Sequence, residues 1–172
     1  DDVPGDPDGE WDFGHGAGFY LDATEEPYAK NYRMYSYITK ELRSVVVDAF
    51  PADPDRQGIF GHSMGGHGAL TIGLKNQDVY RSISAFAPIC SPINCPWGQK
   101  ALPRFLGPLQ ETWRAYDASE LVLGLSKADA HARPPLLIDQ GMNDPFLETQ
   151  LHPHFLENAC SEVGLPLTLR SH

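Results

Sequence analysis

The residues Gly61-His62-Ser63-Met64-Gly65 form a Gly-x-Ser-x-Gly motif, which can place a nucleophilic serine on a tight turn between a strand and a helix. The two glycines leave room for strained backbone and close packing, so the turn would hold the Ser63 hydroxyl out at the strand's end. The amide of Met64 would then point to the same spot, as one donor of an oxyanion hole. The alternative is a glycine-rich helix start with an ordinary capping serine.

A serine hydroxyl is a weak nucleophile at neutral pH, and it needs a histidine base that a carboxylate orients. When the serine lies in a motif of this kind, the acid and then the histidine follow it along the chain. Asp144 falls in the turn-rich segment after a predicted strand, where the orienting acid is expected. Asp139 is the rival acid, but it lies at the strand's end and could serve only to cap the turn. Asp129 is expected to be solvated.

None of the histidines is an obvious base. Two flank the serine too closely to turn back toward its hydroxyl, two lie in or near a predicted helix, and one ends the chain with no loop to carry it to the serine. We expect surface or supporting roles for these five of the seven histidines. They are His62, His67, His152, His154 and His172.

Hydrophobic periodicity and turn residues predict alternating strands and helices. The predicted strands are 57–60, 82–87, 136–138 and 165–170, and the predicted helices are 31–50, 68–76 and 148–163. Residues 1–31 are expected to form an irregular loop pinned by aromatic side chains. The Pro- and Trp-rich segment of about 89–131 is interpreted as an insertion that shapes a pocket, with one short helix at 118–125.

This alternation predicts a mostly parallel sheet with helices on both faces. With the serine motif between a strand and a helix, it indicates an α/β-hydrolase fold. We expect residues 1–172 to form a single domain that is incomplete at its N- and C-terminal ends.

The formal net charge of −10 and the isoelectric point near 5.0 disfavour nucleic-acid and anionic membrane partners. No apolar run approaches the roughly 18 residues that span a bilayer, and the acidic first residues do not resemble a signal peptide. We interpret the three cysteines as reduced thiols, with one disulfide plus a free thiol as the alternative. A cytoplasmic protein without metal or cofactor is expected.

Several blocks resemble the S-formylglutathione hydrolase family, also called esterase D, in that family's order and over nearly the whole chain. The Asn-Cys-Pro-Trp-Gly block is the narrowest of them, since Gly-His-Ser-Met-Gly-Gly recurs in other esterases. The blocks are Gly16-Ala17-Gly18-Phe19-Tyr20-Leu21-Asp22-Ala23-Thr24, Tyr32-Arg33-Met34-Tyr35, Gly61 to Leu70, Phe86-Ala87-Pro88-Ile89-Cys90, Asn94-Cys95-Pro96-Trp97-Gly98-Gln99-Lys100 and Asp139-Gln140-Gly141.

The resemblance implies a cytosolic thioesterase that hydrolyses S-formylglutathione to glutathione and formate in formaldehyde detoxification, and that also cleaves small carboxylic esters. It implies Ser63 as nucleophile and Asp144 as the orienting acid. The family's base lies in a Gly-Tyr-Asp-His-Ser block that would follow His172 by a few residues. That block and the family's N-terminal part, with the second oxyanion amide, are absent from this sequence, so we expect an internal fragment.

Trp97 and Lys100 are candidates for the glutathione groove, where Lys100 could pair with a glutathione carboxylate. The alternatives are plain packing for Trp97 and a solvated charge for Lys100. The family also suggests a homodimer. Two other functions stay open: a general carboxylesterase without thiol preference, and an inert fragment that lacks the triad histidine.

Overall fold

The computed structural model describes residues 2–172, which contain one four-stranded parallel sheet. The strand order follows the chain, so each strand pairs with the next one in sequence. The chain between each pair of neighbouring strands contains at least one helix, as parallel pairing requires a crossover connection. The strands are β1 (Gln57–His62), β2 (Tyr80–Phe86), β3 (Leu136–Gln140) and β4 (Leu167–Ser171).

The carboxyl ends of the four strands meet at one edge of the sheet. His62 pairs with Phe86, Phe86 with Asp139, and Gln140 with Ser171. The loops that leave these strands therefore share one rim, which is where open α/β sheets bind their ligands.

Eight α-helices are found among the described residues, several of them short. The predicted helix over 31–50 is observed from Met34 to Ala49, with a wider π-helical segment, Tyr37–Leu42, between its two α-helical parts. The helices are α1 (Met34–Ser36), α2 (Arg43–Ala49), α3 (Met64–Lys75), α4 (Pro96–Leu106), α5 (Gln110–Trp113), α6 (Ala118–Leu123), α7 (Lys127–Ala132) and α8 (Pro153–Val163).

Helices α3, α6 and α8 bury one face of the sheet. Alternate residues of β3 point into this layer, where Leu136 and Ile138 pack against Leu70 of α3 and Leu156 of α8. Burial of such branched apolar side chains is the main source of stability for a parallel sheet.

The second face of the sheet is not covered by helices in the described part of the chain. Phe60 of β1 is 78% exposed, and Phe86 of β2 is 39% exposed. The expected parallel sheet of the α/β-hydrolase fold is confirmed, but helices on both faces are not observed here, because the helices packed on the sheet within residues 2–172 share one side.

A second core joins the N-terminal loop to the insertion. Phe13 and Phe19 of the loop pack among aromatic and aliphatic side chains around Phe105 and Leu102 of α4. The ring centroids of Phe13 and Phe105 lie 4.6 Å apart. The loop is thus pinned by aromatic residues as predicted, although Trp11 remains 70% exposed.

Helix boundaries differ from the predictions near proline and glycine residues. Helix α4 was not predicted; its Pro96 occupies the first turn, where no amide is needed, whereas Pro103 lies inside the helix. Helix α3 begins four residues earlier than predicted, directly after Ser63. The predicted helix over 148–163 is divided at His152, whose φ is 47°, and Pro153 starts its second part.

Truncation of Leu156 tests the core that α3, α6 and α8 form on one face of the sheet. Leu156→Ala is expected to lower the free energy of unfolding by about 2–5 kcal/mol, because the fully buried side chain leaves a cavity between α8 and the sheet. Urea denaturation followed by circular dichroism measures this loss. The control is Leu109→Ala, at a side chain that is 70% exposed, which should change stability by less than about 0.5 kcal/mol. Equal effects of both variants would contradict the assigned core.

Candidate active site

Ser63 lies at the junction of β1 and α3, with φ 54° and ψ −117°. A residue with a side chain rarely adopts positive φ, and such strain persists only where the surroundings hold it. The Ser63 amide donates to the carbonyl of Phe86 at 2.9 Å, and the Ser63 carbonyl accepts from the His67 amide at 3.0 Å. Ser63 is thus held from the β2 end and from the first turn of α3.

Close packing explains Gly61 of the motif and Gly66, which directly follows it. A Cβ at Gly61 would overlap the carbonyl of Gly65, and a Cβ at Gly66 would lie 2.9 Å from the Cβ of Pro88. Larger residues would therefore open the turn that presents Ser63.

The Met64 amide is available to a ligand because Met64 is the first residue of α3. The first amides of a helix have no carbonyl partner within it. Ser63 and Met64 both line a cavity of about 160 Å³. The other lining residues are Trp11, Asp12, Gly16, Ala17, Phe19, Ile89 and Trp97.

The two candidate acids have different partners. Asp144, after β3, is half-buried, and its carboxylate accepts from the Phe146 amide at 2.8 Å. Asp139, at the end of β3, pairs with Arg170 of β4, and it also accepts from His172 at 2.8 Å. These bonds to Arg170 and His172 lower the pKa of Asp139 to about 2. Asp139 thus joins β3 to β4, while Asp144 keeps room for another donor.

No histidine among residues 2–172 hydrogen-bonds to the hydroxyl of Ser63. His172 lies at the same rim of the sheet, but it is bonded to Asp139. His67 points away, and its ring is fully buried against the N-terminal loop. Within the described chain, then, Ser63 has the turn and the neighbouring amide of a nucleophile but no base.

His67 has a role that sequence reasoning missed. Its Nε2 lies 2.9 Å from the carbonyl oxygen of Phe19, and its ring packs edge-on against the Phe19 ring. The sequence carries no signal for this contact, because Phe19 lies 48 residues before His67.

Trp97, the first candidate for substrate binding, lines the cavity at Ser63. Its ring centroid is 5.7 Å from that of Trp11 and 4.9 Å from that of Phe146. The Trp97 amide donates to the side chain of Gln150 at 3.1 Å, which fixes the start of α4. The three aromatic rings form a rim, and we call Trp11, Trp97 and Phe146 the aromatic rim below.

Lys100 is placed differently from its prediction. Its ammonium pairs with Asp6 at 2.7 Å and also with Asp12, so its charge is already balanced by two carboxylates. These bonds raise the pKa of Lys100. Arg104 adds a second ion pair to Asp6 at 3.0 Å. The geometry favours attachment of the N-terminal loop to α4 over the expected contact with a glutathione carboxylate.

Other kinds of site find little support in residues 2–172. They contain no cluster of three or more His, Cys, Asp or Glu side chains arranged to hold a metal ion, and no helix long and apolar enough to cross a membrane. The cysteines Cys90, Cys95 and Cys160 are free and buried. Burial raises the pKa of the Cys95 thiol to about 11, which keeps it protonated near neutral pH.

Comparison with known proteins gives consistent matches. The model of the Esterase family matches residues 2–172. S-formylglutathione hydrolase of Mus musculus is 54% identical over 164 residues, which are 95% of this chain and 57% of that protein. S-formylglutathione hydrolase of Arabidopsis thaliana is 51% identical over 171 residues, 99% of this chain and 58% of that protein.

A solved structure agrees with these relatives. The S-formylglutathione hydrolase from Agrobacterium tumefaciens superposes with a TM-score of 0.93 at 50% identity, over 100% of this chain and 60% of the other. The chain thus spans less than two thirds of the length of the relatives it matches. With the family model matching along its length and a serine turn of the expected geometry, the chain belongs to the Esterase family, among relatives of S-formylglutathione hydrolase.

Proposed function

We propose that this chain carries the nucleophile and the orienting acid of a serine hydrolase that cleaves S-formylglutathione to glutathione and formate, and that also cleaves small carboxylic esters. The observation that carries this proposal is the strained Ser63 turn, with the free Met64 amide beside a small cavity. The relatives' names supply the substrate.

In the proposed reaction, the Ser63 oxygen attacks the formyl carbon while a histidine takes the hydroxyl proton. The Met64 amide donates to the oxyanion that forms, and the following helix adds a favourable dipole. The carbon–sulfur bond then breaks, and the histidine returns the proton to the glutathione sulfur. Water attacks the formyl ester on Ser63 in the same way, which releases formate and restores the hydroxyl.

The cavity is well sized for the acyl part of such a substrate. At about 160 Å³ it is smaller than the roughly 300–1,000 Å³ of pockets that enclose drug-sized ligands. A formyl group and the thioester atoms fit, whereas the tripeptide does not. We therefore place the glutathione outside the cavity, against the aromatic rim. Binding there would give Trp97 a role in substrate binding without requiring Lys100 to contact the substrate.

The orienting acid is Asp144 in this proposal, and the base is the histidine that the family resemblance places beyond position 172. Within residues 2–172 the Asp144 carboxylate accepts one hydrogen bond, from the Phe146 amide, so its second oxygen is available to an imidazole. The cytoplasmic location and the homodimer remain predictions.

A second function has one specific observation in its favour. Because no histidine within residues 2–172 bonds to Ser63, the chain by itself would be catalytically inert.

A chimera distinguishes an active hydrolase segment from an inert one. In it, residues 2–172 replace the matching segment of the mouse relative, which supplies the remainder of the fold. We expect the chimera to hydrolyse S-formylglutathione and the 172-residue chain alone to be slower by about 10⁴-fold or more. A chimera that folds but hydrolyses no ester or thioester would refute the proposal.

Substitutions in the chimera test the assigned roles. Ser63→Ala and Asp144→Asn should each lower kcat by about 10⁴-fold, since members of one triad act as a unit. The matched control is Asp139→Asn, at the carboxylate in the last residues of β3, which should cost stability through loss of the pair with Arg170 but leave most of kcat. If Asp139→Asn removed activity and Asp144→Asn did not, the acids would have to be exchanged. Steady-state kinetics on folded variants provide the measurement.

The aromatic rim generates a test of the thiol preference. Trp97→Ala should raise KM for S-formylglutathione by about two- to tenfold, the range that aromatic contacts of 0.5–1.5 kcal/mol produce. It should change KM for a short nitrophenyl ester much less, because that substrate reaches less of the rim. Phe50→Ala, at an aromatic residue that is 62% exposed and lies outside the cavity, is the control. Equal KM changes for both substrates would speak for a general carboxylesterase.

A further inference from the structure

Phe19 and Tyr20 form a strained turn beside the nucleophile. Their φ angles are 52° and 50°, so two consecutive residues with large side chains adopt the left-handed conformation. Each such residue carries an energetic cost, and glycine usually takes these positions. Strain of this kind persists when neighbouring groups hold the backbone, and it concentrates at functional sites.

His67 holds this turn through its carbonyl. The His67 Nε2 lies 2.9 Å from the Phe19 oxygen, and since a carbonyl only accepts, Nε2 must carry the proton. Burial lowers the pKa of His67 to about 4, so the ring donates this bond as a neutral imidazole near pH 7. The other ring nitrogen has no partner within residues 2–172. A buried nitrogen without a partner is unfavourable, so the donor to Phe19 is what histidine offers over an apolar residue.

Gly68 makes room for the second residue of the turn. A Cβ at Gly68 would lie 2.7 Å from both Cγ and Cδ2 of Tyr20. The Tyr20 ring therefore rests directly on the backbone of α3. Two consecutive residues of α3 thus hold the same turn. His67 makes a hydrogen bond to it, and Gly68 leaves room for the Tyr20 ring.

The turn borders two spaces that both reach the nucleophile. Phe19 lines the cavity of about 160 Å³, and Tyr20 lines a separate groove of about 450 Å³. Ser63 and Met64 line both of them. A shift of the turn would therefore change how much room an acyl group finds beside Ser63.

We propose that His67 and Gly68 are positioning residues that hold the Phe19–Tyr20 turn as a wall of the cavity at Ser63, and that this wall limits the length of the acyl group. The limit on acyl length rests on the proposed function, because it needs Ser63 to be the nucleophile. The docking of the turn on α3 does not need it.

Hydrogen exchange on the 172-residue chain tests the docking. The amides of Ala17 and Ala23 flank the turn and donate to the carbonyls of Gly14 and Tyr32. In His67→Leu, which removes the donor but keeps an apolar side chain, exchange of these two amides should accelerate while exchange in α8 stays unchanged. Unchanged exchange at both amides would overturn the docking, as would equal acceleration in α8, which indicates global loosening.

Acyl selectivity of the chimera tests the wall. The ratio of kcat/KM for S-butyrylglutathione to that for S-formylglutathione does not depend on the fraction of folded enzyme. It should rise about tenfold or more in His67→Leu, because methylene discrimination in an apolar pocket is of this size. His67→Gln, whose amide can still donate to Phe19, should restore the parent ratio. His131→Leu is the control, since the exposed His131 also bonds a carbonyl, that of Lys127, away from the cavity.

Gly68→Ala provides a second variant in case His67→Leu does not fold, and the same rise in the ratio is expected. A ratio that stays at the parent value in folded His67→Leu or Gly68→Ala refutes the acyl limit. A parent chimera without any esterase activity refutes the proposed function and the acyl limit together, while the exchange measurement still decides whether His67 holds the turn.

Discussion

The left-handed backbone of Ser63 is the constraint on which the site depends. It forces β1 to turn sharply into α3, so the serine side chain and the Met64 amide are presented together. A strained residue costs about 1–3 kcal/mol, and here the ends of two strands and one helix hold it. The hydrogen bond from the Ser63 amide to Phe86 ties the turn to β2. The geometry of the site therefore depends on the register in which β1 pairs with β2.

The cavity beside Ser63 depends on a second set of contacts, because its outer wall belongs to the N-terminal loop. Asp6 is nearly fully buried, and its carboxylate joins Lys100 and Arg104 of α4. Aromatic packing around Phe13 and Phe105 adds apolar burial to these ion pairs. A buried carboxylate with two cationic partners is costly to break, so the loop has a defined place against the insertion. The insertion thus shapes the cavity indirectly, by fixing the loop.

The sequence predicted the parts of this structure that local rules determine. Alternation of apolar runs and turns was sufficient for the four parallel strands, and the Gly-x-Ser-x-Gly pattern was sufficient for the Ser63 turn. Long-range pairing was not readable. Lys100 was predicted as a partner for a glutathione carboxylate because its partners Asp6 and Asp12 are distant in sequence. His67 was expected to have a surface or supporting role, but its acceptor, Phe19, could not be identified because it is 48 residues away. Helix α4 was not predicted because the segment was interpreted as an insertion with only one short helix, at 118–125.

The assignment of the two carboxylates follows from how fully each is bonded. Asp139 has both oxygens engaged by Arg170 and His172, and these partners keep its pKa near 2. Since its pKa is below the unfolded value of about 3.8, this carboxylate contributes stability above that pH and loses it as pH falls toward 2. Both oxygens of the Asp139 carboxylate are thus occupied by the bonds that join β3 to β4. Asp144, four residues beyond the end of β3 and on the same rim, has one carboxylate oxygen bonded to its own turn. A carboxylate that must orient a catalytic imidazole needs a free acceptor at the carboxyl ends of the strands, and Asp144 retains one.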